Sequence, residues 1–148
     1  MKDTNEMKIE FDSRSCNEGF ARVAVASFLS QLNPTLEEVA DVKTALSEAV
    51  TNAIIHGYEG RVEKVCIECQ IRDREMTVAV IDYGCGIPDI AKAMEPLYTT
   101  KKDAERAGMG FAFMEAFMDE VHVESELGKG TKVVMKKRIN RVPHQFEE

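Results

Sequence analysis

Apolar and charged positions alternate near the start of the chain. Met7, Ile9 and Phe11 are separated by Lys8 and Glu10, and this period of two predicts a strand with one apolar face. The spacing then becomes helical. Phe20, Val23, Val25, Phe28 and Leu32 predict a first helix, with Asn17 as its expected cap and Asn33-Pro34 as its end. Thr35 with Glu38 reads as a capping box for a second helix. Leu36, Val39, Val42, Leu46, Val50 and Ile54 follow the helical period there, with Gly57 as a stop. Val65, Ile67 and Ile71, then Met76, Val78 and Val80, predict two strands joined by a turn at Asp73-Arg74-Glu75. Ala91 lies in a weak helical stretch. A third main helix is expected to open at Gly108-Met109-Gly110 and run through Phe117. Two last strands, 121–126 and 132–139, flank the turn Leu127-Gly128-Lys129-Gly130. The polar tail from about residue 140 is expected to be loose.

Helices and hairpin strands without strict alternation point to an α+β fold. The expected architecture is a two-layer α/β sandwich, with a mixed sheet and helices on one face. The 148 residues are one domain's worth, so a single domain over 1–148 is expected. The start is polar and mixed in charge, and no apolar run approaches the ~20 residues of a membrane helix. A cytoplasmic protein without a membrane segment is therefore expected. The formal charge of −7 argues against direct nucleic-acid binding and is compatible with a basic protein partner.

Of four cysteines, Cys66 and Cys69 spell C-x-x-C. Their odd separation in a strand places them on opposite faces, and no second pair completes a zinc set. They read as small hydrophobes.

Four features carry candidate chemistry. Glu48, Asn52 and His56 are spaced by four, so they share one helix face. Such a row also occurs as a solvated polar edge. An amide oxygen suits Mg²⁺, and a carboxylate one turn away suits a general base. Asp82-x-Gly84-x-Gly86 follows an apolar strand; glycines admit a ligand close to the backbone, and a carboxylate there can accept from an amino group. Gly108-Met109-Gly110 opens a helix, whose free amides would suit phosphate, after Thr99, Thr100, Lys101 and Lys102. Gly128-x-Gly130-Thr131 looks like the end of a P-loop but lacks the earlier glycine and the Ser or Thr after Lys. Read singly, the last three also fit plain turns or a loop before a cap.

In order and spacing, the four features resemble the boxes of the GHKL (Bergerat) ATPase superfamily: E-x-x-x-N, D-x-G-x-G, G-x-G and G-x-G-T. The stretches S-E-A-V-T-N-A-I-I-H-G-Y (47–58), P-L-Y-T-T-K (96–101), E-R-A-G-M-G-F (105–111) and F-A-R-V-A-V-A-S-F (20–28) resemble the anti-sigma-factor serine kinases, in their sporulation sigma-F branch. The similarity runs from about Lys8 to Lys137. It implies ATP and Mg²⁺ as cofactors. Glu48 would be the general base and Asn52 the Mg²⁺ ligand. Asp82 would accept from the adenine amino group, with Gly86 beside the ring, Thr131 in support and Gly84 also among the nucleotide-binding residues. Thr99, Thr100, Lys101, Gly108, Met109 and Gly110 would line the phosphates. Arg22 and Arg106 would meet protein partners: a sigma factor, and an anti-anti-sigma protein as the phosphorylation substrate. A homodimer is also implied. The sequence departs from the pattern at Tyr83, where an acid is frequent, at Ala107, where serine is common, and in a short segment 59–63.

The alternatives are a nucleotide-gated sigma-binding module without kinase activity, and a general stress-response anti-sigma kinase. A sensor histidine kinase half is disfavoured, because no histidine lies in a suitable N-terminal helix.

Overall fold

A computed structural model describes residues 4–90 and 110–139. Strand β1 (Thr4–Asp12) leads into helix α1 (Cys16–Leu29) and a single 3₁₀ turn (Ser30–Leu32). Helix α2 (Leu36–Asn52) continues into a π turn (Ala53–Gly57). Strands β2 (Lys64–Arg72) and β3 (Glu75–Asp82) form a hairpin. Helix α3 (Phe111–Phe117) precedes a second hairpin, β4 (Glu120–Glu126) and β5 (Gly130–Arg138).

The five strands pair in the order β1-β2-β3-β5-β4. All four pairings are antiparallel, which corrects the expectation of a mixed sheet. The reason lies in the connections. Two hairpins supply two antiparallel pairs, and β5 inserts between β3 and β4. Those two strands run parallel, as a helical crossover demands, yet they never bond to each other.

The rest of the architecture is the expected one, a helical layer on one face of the sheet. The register explains which face. Ile9, Ile67, Val80, Val133 and Val123 lie in one row across the strands, and Met7, Cys69, Val78, Met135 and Val121 in the next. Both rows belong to the core, with Val25 and Leu29 of α1, Leu46 and Val50 of α2, and Phe111 and Met114 of α3. Each fully buried aliphatic side chain contributes roughly 1.5–3 kcal/mol. The opposite face carries rows such as Lys8, Glu68, Ala79, Val134 and His122, laced by pairs like Lys8–Glu68 at 3.8 Å.

The odd spacing of the C-x-x-C pair has the expected result. Cys69 is in the core, where burial pushes its thiol up to about 12. Cys66 lies in the opposite-face row, between Glu10 and Ile81. Among the described residues no group of three or more His, Cys, Asp or Glu is placed to hold a metal ion.

Two helix ends differ from the reading of the sequence. Asn17 does not cap α1, which starts at Cys16 after Ser15. Its side chain instead donates to the Asp12 carbonyl at 2.9 Å, an acceptor it shares with Arg14 N. The first helix also stops at Leu29, and Leu32 sits in the 3₁₀ turn before Asn33, which is left-handed at φ 53°.

The capping box is present. Thr35 Oγ1 accepts from Glu38 N at 3.0 Å, and Glu38 Oε1 accepts from Thr35 N at 2.8 Å. Thr35→Ala should cost about 1 kcal/mol, a melting decrease of about 2–4 °C for a chain of this size. Thermal denaturation followed by circular dichroism would check it; an unchanged midpoint would show that the cap contributes nothing net.

Candidate functional site

The register that builds the core also builds the site. One row beyond Val80 and Val133, at the same end of the sheet, come Phe11, Val65, Asp82, Thr131 and Ser125. Strand alternation turns this row toward the helices, like the apolar rows beside it. A carboxylate and two hydroxyls thus stand side by side at the rim of the core.

Asp82 and Thr131 of this row form one side of a pocket. Ala49, Asn52, Ala53 and His56 face it from α2 and the π turn, and Val80, Val133, Ile87 and Phe111 add apolar walls.

Asp82 is only 6% exposed. Burial pushes its carboxyl above the ordinary range, while the backbone N–H groups of Gly84 and Thr131 oppose that rise by favouring the charged form. Gly84 N donates to Asp82 Oδ1 at 2.9 Å. A carboxylate has further lone pairs beyond those two bonds, and an exocyclic amino group can donate to one.

The D-x-G-x-G loop is packed against the end of α2. A Cβ on Gly84 would lie 1.9 Å from the Gly57 carbonyl oxygen, so only glycine fits there. Cys85 N donates to that same oxygen at 2.9 Å, and Tyr83 N donates to the buried Tyr58 hydroxyl at 2.7 Å. The π turn widens the helix at this point, as π turns often do beside functional sites. Gly86 lines the pocket directly.

The Glu48–Asn52–His56 row is divided by the structure. Asn52 and His56 line the pocket, whereas Glu48 lies one turn earlier, in a neighbouring groove with Arg22, Lys43, Thr44 and Ser47. Burial raises the Glu48 carboxyl above its ordinary value. Gly110, at φ 73°, caps α3 directly against it: a Cβ there would sit 2.3 Å from Glu48 Oε1. The positive φ favours glycine, and a Cβ there would displace the Glu48 carboxylate. Arg22 pairs with Glu18 at 3.4 Å and reaches Ser47 Oγ at 3.4 Å.

Thr99, Thr100, Lys101, Gly108, Met109 and Arg106 lie outside the described residues. Among the described ones, the structure brings together Asn52, Asp82, Gly86 and Thr131 in one pocket. Glu48, Gly110 and Arg22 lie beside it. Sequence reasoning missed Tyr58 and Ser125. Tyr58 left no signal, but Ser125 did: it continues the inward alternation of Val121 and Val123, which places a hydroxyl on an apolar face.

Comparison with known proteins agrees with this geometry. Residues 13–137 match the histidine kinase-like ATPase domain model. The anti-sigma F factor of Clostridium acetobutylicum is 62% identical over 91% of this chain and 94% of its own length. That of Clostridium beijerinckii is 60% identical over 93% and 97%. Among solved structures, the RsbU and RsbW domains of a Mycobacterium tuberculosis protein superpose with a TM-score of 0.67 at 22% identity, over 93% of this chain and 32% of that one. The catalytic domain of histidine kinase ThkA superposes with a TM-score of 0.53 at 17% identity, over 90% and 96%. Those two likenesses concern the fold; the close relatives fix the group. The chain belongs to the histidine kinase-like ATPase family and, within it, to the anti-sigma F factors.

Proposed function

We propose that this protein is an ATP-dependent serine kinase and an anti-sigma factor. It would transfer the γ-phosphoryl group of ATP to a serine of a small anti-anti-sigma protein. With nucleotide bound it would hold a sporulation sigma factor of the sigma-F type away from RNA polymerase. It would do so as a cytoplasmic homodimer; among the described residues, no helix is long and apolar enough to cross a membrane.

One observation carries the kinase reading. Helix α2 lines two neighbouring concavities, and this reading assigns each one part of the chemistry. The pocket on one side holds Asp82 and Asn52, and the groove beside it holds Glu48 with Arg22. A nucleotide in the first and a protein chain in the second would meet across Glu48.

The chemistry of the lining suits adenine: the walls are apolar, and the buried carboxylate accepts hydrogen bonds. When bound, ATP would supply the phosphoryl group, with Mg²⁺ screening its charge. Asn52 would hold the metal through its amide oxygen, and Asp82 would orient the base. Thr131 would support the ring beside it. Arg22 would hold the partner in the groove, and Glu48 would take the proton from the serine hydroxyl. Positioning of this kind is the main requirement of phosphoryl transfer. A nucleotide-gated binder without kinase activity would need no base at position 48.

The test is label transfer from γ-labelled ATP, with Mg²⁺, to the cognate anti-anti-sigma protein. Label on serine is the expected outcome. No transfer, with ATP still bound, would leave the nucleotide-gated binder as the better reading.

A further inference from the structure

Ser125 is half-buried on the inner side of β4, and its hydroxyl touches three polar groups. It accepts from Ile87 N at 2.8 Å. It also lies 3.0 Å from the Gly130 carbonyl oxygen and 2.9 Å from Thr131 Oγ1. A serine hydroxyl has one proton and two acceptor positions, so it cannot donate to both oxygens at once.

The Gly130 carbonyl can only accept, so Ser125 donates to it and the bond to Thr131 has Thr131 as donor, which leaves the lone pairs of Thr131 for the pocket. Thr131 pairs with Asp82 across the strands, and both line the same pocket. The acceptor at Ser125 therefore decides which polar pattern the pocket presents beside the carboxylate.

We propose that Ser125 is a positioning residue that orients the Thr131 hydroxyl and so sets the preference of the pocket for adenine over other purines. The proposal rests on the ATP-binding reading above. Adenine presents an amino donor flanked by ring-nitrogen acceptors. Hypoxanthine presents a carbonyl acceptor at the same place, with a ring N–H donor next to it. Asp82 and the Thr131 lone pairs, both accepting, match the two hydrogens of the amino group and leave the hypoxanthine carbonyl without a donor. Ser125 needs no contact with the nucleotide. It supplies the acceptor that holds the Thr131 proton away from the pocket.

The experiment is calorimetric titration of ATP and of ITP into the full chain, as wild type, Ser125→Ala and Ser125→Thr. The wild type is expected to prefer ATP. Ser125→Ala should lose about tenfold of that preference, the scale of one hydrogen bond. Ser125→Thr keeps the hydroxyl and should retain the preference to within about twofold. A merely structural role would weaken both nucleotides together, so an unchanged ratio in Ser125→Ala overturns the proposal. If that variant is too unstable to titrate, Ser125→Cys, with its weak acceptor, carries the same expectation and the same refutation. A wild type that binds neither nucleotide would overturn the ATP-binding reading and this proposal with it. A selective wild type with an unchanged ratio in the variant would sink the role of Ser125 alone.

Discussion

Glu48→Gln should lower phosphoryl transfer by about 10²–10⁴-fold, the usual contribution of a general base, while ATP remains bound. The two effects separate because Glu48 stands outside the pocket that Asp82 and Asn52 line. Glutamine keeps the size of the side chain against Gly110 and removes only the ability to accept a proton. Burial holds the Glu48 carboxyl above its ordinary value of 4.5. The base is active when ionised, so transfer should rise with pH through that raised value and level off above it. This rise should vanish in Glu48→Gln. Rates of label transfer against pH, with nucleotide affinity measured alongside, check both statements. Equal rates in variant and wild type would remove Glu48 from the mechanism.

Asp82→Asn should weaken ATP binding by at least about 10²-fold, or roughly 2.8 kcal/mol. The buried carboxylate is an acceptor only, whereas an amide turns a donor toward the base or loses the charge that strengthens the bond. The fold should survive. The folded-state carboxyl lies above its ordinary value of 3.8 because of burial. The native state therefore holds its proton to higher pH than the unfolded chain does. Stability falls as pH rises through that window, so at neutral pH the charged Asp82 is a net cost to folding. Asparagine removes that cost and can still accept from Gly84 N. The melting temperature at pH 7 should be equal to that of the wild type or higher. A variant that binds ATP normally would refute the adenine contact. One that melts far below the wild type would mean that the carboxylate holds the loop rather than the ligand.

Most secondary elements were legible because their signals are local. The alternation of Met7, Ile9 and Phe11 specifies an inner face of β1 wherever that strand pairs. Thr35 and Glu38 cap α2 by contacts three residues apart. The D-x-G-x-G box was legible in the same way, since glycines at short spacing mark close backbone approach, as Gly84 makes on Gly57. Asn17 misled because the helix begins before it, after Ser15, and its side chain turns back to the Asp12 carbonyl.

Strand order and direction were not legible. They depend on β5 entering between β3 and β4, a pairing across about fifty residues between Val80 and Val133 that no local period encodes. That pairing sets Asp82, Thr131 and Ser125 in one row, and so it makes the site. The division of the Glu48–Asn52–His56 row was also hidden. A helical wheel shows three residues on one face, but α3 and the loop after β3 pack at different heights along α2. Gly110 closes on Glu48, and Asp82 closes on Gly57. The sequence alone determined the elements, the inner face of each strand and the residue types able to do the chemistry, because those follow from periods of two and 3.6 and from side-chain donors and acceptors. Only the tertiary structure decided which of those residues share a pocket, because that depends on register between distant strands and on where each helix comes to rest against the sheet.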